Sequence, residues 1–240
     1  MGKFKGGVLV IGSLLWESSE IREKWRSENL DDNSCLLVKL PIRYGRISET
    51  RGHTYTMIFS SECKSNEKMG QGYFIPFNNT DLSHKQIIEQ TFNIIDAEHN
   101  EKKELNRLNW GWGCLGLAIN PKLFCHNERK KDLEELLQVW SDNYSQGFDP
   151  NHYRLGEENQ IISKEGILNI DWDVKLNDFD FVIGTVTKPN VNSYPKAKGI
   201  SRAMIENDYF DYFENNIGNS ISTFQDKDIQ RYLNHENKVD

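Results

Sequence analysis

The tip of the first apolar segment is the first place where this chain could hold a small anion. Residues 8–16 read Val-Leu-Val-Ile-Gly-Ser-Leu-Leu-Trp, a β-branched strand that runs into a Gly-Ser pair. A glycine at a strand end permits a sharp turn, after which successive N–H groups point toward one spot. We therefore predict a backbone cradle that binds a small carboxylate, and it would comprise Ile11, Gly12, Ser13 and Leu14. A buried strand that ends in an ordinary turn is the alternative interpretation.

A cysteine in a glycine-rich turn is the second candidate. The run Gly111-Trp-Gly-Cys114 resembles the nucleophile motif of the cysteine peptidases that trim ubiquitin-like modifiers, and Asp149-Pro-Asn-His152 is similar to their later Asp-Pro-His motif with one residue inserted. A thiol needs a neighbouring imidazole to become a nucleophile at neutral pH, and His152 could activate Cys114 in this way. The pair lies closer in sequence than in those enzymes, and the residues after Cys114 read as a strand rather than a helix. A cysteine hydrolase is thus one alternative function.

These groups need a scaffold of strands and helices. Short β-branched or alternating runs predict strands, and apolar residues at three- and four-residue steps predict helices. The predicted strands lie at residues 8–11, 35–40, within 43–59, at 72–77, before Pro121 and at 179–187. The predicted helices begin at Asp81 or Ser83, cover 130–145, and lie between Ile200 and Asn215. Residues 18–29 are helix or loop, and residues 225–240 are a solvated tail or a terminal helix.

Most strands precede the first helix, which indicates an α+β fold. A length of 240 residues fits one large domain. We expect a single domain over residues 1–240, with its core at about residues 8–125. Residues 126–240 would complete or cover that core.

The overall charge excludes some partners. The chain carries 29 basic and 36 acidic residues, a net charge of −7, which repels phosphate backbones, so we expect no nucleic-acid partner. No apolar run approaches the roughly 18 residues of a membrane span. We expect a cytoplasmic protein without a membrane partner. The four cysteines form no CxxC pair, so we interpret them as free thiols and predict no metal site.

The segment at residues 8–16 resembles the amino-terminal signature of the γ-glutamylcyclotransferase-like superfamily, in which the first strand ends in Tyr-Gly-Ser-Leu or Tyr-Gly-Thr-Leu. This chain has Ile11 in place of the tyrosine. Residues 43–53, with their arginines and an Arg-Gly pair, are similar to the next element of the glutathione-specific branch. Residues 72–76 lie where the family has a strand with Gly and Tyr. The resemblance covers roughly residues 8–100.

The resemblance implies a fold and a reaction. The fold would be a small mixed β-barrel with flanking helices and a C-terminal extension. The reaction would be a lyase step that converts glutathione or another γ-glutamyl amine to 5-oxoproline and a free amine, without metal or cofactor. One glutamate at the end of a helix moves the protons in the family, and Glu98 stands at the matching position. Two nearby acids are alternatives for this role: Glu101 and Glu104.

Other residues are assigned through the same resemblance. Arginines that would bind substrate carboxylates are Arg43 and Arg51, with Arg46 as a further candidate. The family also often places a late tyrosine near its pocket, for which Tyr153 and Tyr194 are candidates. The replacement of tyrosine by Ile11 leaves open a non-catalytic module that binds a ligand or a protein partner on the same fold.

Overall fold

Strand β1 (Gly6–Val10) lies in the middle of a five-stranded mixed sheet. The computed structural model describes residues 2–236. All five residues of β1 are buried, as expected for an apolar run that is covered on both faces. The strand pairs antiparallel with β5 (Gly70–Pro76) on one side and parallel with β7 (Phe181–Thr187) on the other. The whole sheet has the order β2 (Leu36–Leu40), β5, β1, β7, β6 (Gly113–Ile119).

The other strands follow the predicted pattern. They are β2 (Leu36–Leu40), β3 (Ile42–Ser48), β4 (Thr54–Phe59) and β6 (Gly113–Ile119). Strands β3 and β4 form a separate two-stranded antiparallel sheet with an irregular register between Tyr44 and Arg46. The predicted α+β class is therefore confirmed. The expected barrel is not seen as a closed ladder, because the strands of residues 2–236 form one open sheet and this hairpin.

The helices bring the site residues to the sheet. They are α1 (Glu20–Asn29), α2 (His84–His99), α3 (Lys130–Asp142), α4 (Ala197–Glu206), α5 (Asp211–Gly218) and α6 (Asp226–Glu236). Helix α2 begins at the predicted cap: Ser83 accepts from Gln86 N, and the Gln86 side chain accepts from Ser83 N. It ends at Asn100, whose φ of 54° stops the helix. Glu98 is thereby fixed in the last turn.

The second half of the chain builds part of the central sheet, since β7 lies between β1 and β6. Two helices, α4 and α5, occupy the stretch where one helix was predicted. Asp208 separates them with a φ of 49°. Of residues 225–240, predicted as a solvated tail or a terminal helix, Asp226–Glu236 form α6, and residues 237–240 lie outside the described residues. Within residues 2–236, every helix is too short or too polar to cross a bilayer.

Candidate active site

A cavity of about 760 Å³ opens at the tip of β1. Volumes of roughly 300–1,000 Å³ are typical of small-molecule sites. Its walls are the loop after β1, the β3–β4 hairpin, the end of α2 and the last residues of β7. Seven of the candidate residues line it together: Ile11, Gly12, Ser13, Leu14, Arg46, Arg51 and Glu98. They come from three separate stretches of the chain.

The loop after β1 lines this cavity and contains unpaired backbone donors. Leu15 N donates to Gly12 O at 3.0 Å, and Glu17 N donates to Ser13 O at 2.8 Å, so the chain turns tightly at the strand end. In the described chain, the N–H groups of Gly12, Ser13 and Leu14 donate to no acceptor. Buried backbone donors are nearly always paired in folded proteins. Three adjacent unpaired donors therefore make the loop suited to an anionic ligand.

Arg51 fixes this loop from the side of the hairpin. Its guanidinium donates to Ser13 Oγ at 2.9 Å and to Glu17 Oε1 at 3.2 Å. Gly52, with a φ of 58°, lets the chain reverse directly after Arg51. Burial raises the pKa of Glu17, but Arg51 and Arg22 outweigh it and hold this pKa below its ordinary value. Glu17 is thus an ionised carboxylate that locks Arg51 against the loop.

Glu98 supplies a carboxyl group with a shifted pKa. Its side chain is partly buried and lines the cavity. Burial raises the pKa of Glu98, while the Thr185 hydroxyl and the cations Arg22 and Arg51 lower it, and the net result is a pKa above the ordinary value. Such a carboxyl can accept and return a proton closer to neutral pH. Two other acids named above are exposed and lie outside the cavity lining: Glu101 and Glu104.

Arg22 connects the loop to the helix that carries this acid. It is 6% exposed and forms an ion pair with Glu17. Its Nε donates to Ala97 O at 2.9 Å, and its Nη2 donates to Glu98 O at 3.3 Å. These carbonyl groups lie in the last turn of α2, where the i+4 donors of the helix run out, although Asn100 N also donates to Ala97 O at 3.3 Å. Arg22 therefore holds the backbone of Glu98 in place. Sequence reasoning missed it, because residues 18–29 read only as a polar helix or loop.

A tyrosine from the C-terminal half lines the cavity, but it is Tyr212 of α5 rather than Tyr153 or Tyr194. Its hydroxyl accepts from Met57 N at 3.2 Å and lies beside the Gly12 backbone. Trp16 fixes the same helix, since its Nε1 donates to Asn216 Oδ1 at 2.8 Å. Tyr153 instead contacts Cys114, and Tyr194 lies beside a buried glutamate outside the cavity: Glu158.

Arg43 does not line the cavity, which corrects its predicted role as a carboxylate clamp. Its Nη1 donates to Glu62 Oε2 at 2.8 Å. Its guanidinium lies over the ring of Tyr194, 3.9 Å from the centroid. Arg43 therefore forms an ion pair with Glu62 and stacks on Tyr194, in a cluster of these three residues outside the cavity. Sequence alone could not separate it from Arg46 and Arg51, which share its segment and do line the cavity.

Glu158 lies beside this cluster and has a structural role. This buried carboxylate accepts from Ser60 Oγ at 2.8 Å, from Leu155 N at 2.9 Å and from the Tyr194 hydroxyl. We expect Glu158→Gln to lower the free energy of unfolding by about 1–3 kcal/mol, because an amide NH₂ would face one of these donors. Urea denaturation measures this. The exposed neighbour Glu157, changed to Gln, is the control; equal stability of the two variants would contradict the structural role.

The structure does not pair the cysteine with the histidine of the second motif. Cys114 is buried in β6 beside Tyr144 and Tyr153, and burial raises the pKa of its thiol to about 12. A thiol of this kind is almost entirely protonated at neutral pH. His152 is exposed, and its Nε2 lies 4.0 Å from Asp149 Oδ2. The geometry therefore does not favour the cysteine hydrolase.

Comparisons with protein-family models, with curated proteins and with solved structures found no match for this chain. We therefore infer the function from the geometry and chemistry of the cavity.

Proposed function

We propose that the protein is a γ-glutamylcyclotransferase-like lyase, which converts a γ-glutamyl amine such as glutathione to 5-oxoproline and a free amine. One observation carries this proposal: Gly12, Ser13 and Leu14, whose N–H groups are unpaired, line the same cavity as Glu98, whose pKa is raised. A γ-glutamyl group has a carboxylate for the N–H groups and an α-amino group for the acid. The family's barrel fold is also part of the proposal, although the described strands form an open sheet and a hairpin.

The reaction needs one proton acceptor and no water. In the proposed mechanism, the loop N–H groups bind the α-carboxylate of the substrate, whose α-amino group reacts in its neutral form. The amino nitrogen attacks the γ-carbonyl carbon and forms the carbon–nitrogen bond of the five-membered ring, while the Glu98 carboxylate takes one of its two protons. The bond from this carbon to the leaving nitrogen breaks as Glu98 returns a proton to that nitrogen. Atoms and charge balance without an added reactant.

The assay for 5-oxoproline tests this function. Purified protein is incubated with glutathione and with γ-glutamyl amino acids, and 5-oxoproline and the released amine are measured together. The proposal predicts equal amounts of both products. Saturable binding of these compounds without either product would instead support the non-catalytic module that Ile11 left open.

Arg22 offers a test of how the acid is positioned. We expect Arg22→Met to lower kcat by about tenfold to a hundredfold with a smaller change in KM, because the end of α2 would shift the Glu98 carboxyl. The acidic limb of the kcat/KM profile should also move to higher pH. The reason is that Glu98 must be ionised to act as a base, and removal of a nearby cation raises its pKa further.

The control for this prediction is Lys24→Met, which removes an exposed cation from the same helix, α1. It should leave both kcat and the pH profile unchanged. If Arg22→Met lowered kcat but left the acidic limb where it was, Arg22 would have a structural role only.

A further inference from the structure

The outer wall of the cavity contains a cation that forms no close ion pair among the described residues. Arg22 and Arg51 both form ion pairs with Glu17. The third arginine of the lining, Arg46, has no carboxylate within 4.0 Å among residues 2–236. Glu49 raises its pKa from a longer range, but burial outweighs this and keeps the pKa of Arg46 below its ordinary value. A partly buried cation without a counter-ion is a site for an anion.

The guanidinium of Arg46 is held in place but retains free donors. Its Nη1 donates to Lys188 O at 3.0 Å, and in the described chain this is the one hydrogen bond that its side chain donates. The strand around it is anchored, because Ile47 exchanges two hydrogen bonds with Asn190, at 2.7 and 2.8 Å. Arg46 can therefore present further N–H groups to a carboxylate from a fixed position.

An aromatic ring links Arg46 to the acid. The ring centroid of Trp112 lies 5.8 Å from Arg46 Cζ and 5.3 Å from the ring centroid of His99, the residue directly after Glu98. Both rings line the cavity. Trp112 is fixed through its backbone, since Lys188 N donates to Trp112 O at 2.9 Å. One side of the cavity is thus formed by Glu98 and His99, then by the Trp112 ring, and then by the Arg46 guanidinium.

On the basis of the proposed function, we infer that Arg46 binds a carboxylate on the leaving amine. Trp112 would pack against the substrate atoms between that carboxylate and the bond that breaks. The preferred substrates are then γ-glutamyl derivatives of amino acids or peptides, rather than γ-glutamyl derivatives of neutral or cationic amines. Arg46 is a specificity residue in this account: it contacts the part of the substrate that leaves.

Two substrates that differ in one charge test this inference. γ-Glutamyl-glycine carries the carboxylate, and γ-glutamyl-glycinamide replaces it by a neutral amide of the same shape. We expect the wild-type protein to prefer the acid by roughly tenfold to a hundredfold in kcat/KM, the usual effect of a charge-assisted hydrogen bond. Arg46→Met should remove this preference, and circular dichroism with thermal unfolding checks that the variant is folded. Arg46→Lys should keep part of the preference.

The control is Arg107→Met, which also removes an arginine that donates to one backbone carbonyl, Asp142 O, away from the cavity. It should keep the full preference. An equal preference in wild-type and Arg46→Met protein would overturn the inference and leave the proposed function intact. A wild-type protein that turns over neither compound, nor glutathione, would overturn both.

Discussion

Replacement of Glu98 by glutamine should lower kcat by roughly 10²- to 10⁴-fold, because the amide can neither take the proton from the attacking nitrogen nor return it to the leaving one. KM should change little, since the substrate carboxylate binds to the loop N–H groups. Release of 5-oxoproline from glutathione, followed over time, measures both constants. Because glutamine keeps the size and shape of the side chain, the fall in kcat measures the loss of proton transfer by Glu98.

Stability separates this effect from a folding defect. The pKa of Glu98 is raised in the folded protein, so the folded state binds its proton more tightly than the unfolded state does. The stabilisation from that proton is present at low pH and is lost as pH rises through the folded pKa. A neutral glutamine avoids the cost of a buried charge, and Glu98→Gln should therefore be at least as stable as wild type at neutral pH.

Glu101→Gln, at an exposed position just beyond α2, is the matched control and should be fully active. Full activity of Glu98→Gln would remove this residue from the mechanism.

Replacement of Gly12 by alanine should disrupt the loop that binds the carboxylate. An added Cβ would lie 2.7 Å from the Tyr212 hydroxyl oxygen, closer than real contacts allow, so the loop, the buried Tyr212 side chain or α5 must move. We expect the free energy of unfolding to fall by about 1–3 kcal/mol, which is typical of overpacking. We also expect kcat/KM to fall by roughly a hundredfold, because a displacement of about 1 Å in a binding loop has such an effect.

A second change shows whether this contact is the cause. Tyr212→Phe removes the oxygen and leaves ring atoms at 3.5 Å from the added Cβ, an ordinary contact distance. Gly12→Ala should therefore be less harmful in the Tyr212→Phe background than alone, although Tyr212→Phe itself loses the acceptor for Met57 N. Gly147→Ala, where no atom lies within 4 Å of the added Cβ, is the control for the glycine change. If the losses of stability caused by Gly12→Ala and Tyr212→Phe were additive in the double variant, the close approach of Tyr212 would not explain the effect of Gly12→Ala.

The part of the site that the sequence predicted is the part encoded by local signals. The apolar run before Gly12 identified β1 and its turn, and the cap at Ser83 with its apolar periodicity located α2 and thus the position of Glu98. These features depend on neighbours within one strand or one helix. The α+β class followed from the same local patterns.

The rest depends on contacts between distant segments. Tyr212 reaches Gly12 across 200 residues, because α5 packs against the loop through Trp16 and Asn216. No periodicity in the sequence marks this contact. The arginines of the hairpin are a second example. Arg46 and Arg51 line the cavity while Arg43 lies against Tyr194, and only contacts with distant segments make this difference.

Intramolecular ring closure is tested most directly by turnover of glutathione in water enriched in oxygen-18. Attack by the α-amino nitrogen uses no water, so we expect 5-oxoproline that contains no oxygen-18, formed in the same amount as the released amine. Mass spectrometry measures both. Release of glutamate with oxygen-18 in its γ-carboxylate would mean hydrolysis, and it would contradict the proposed reaction.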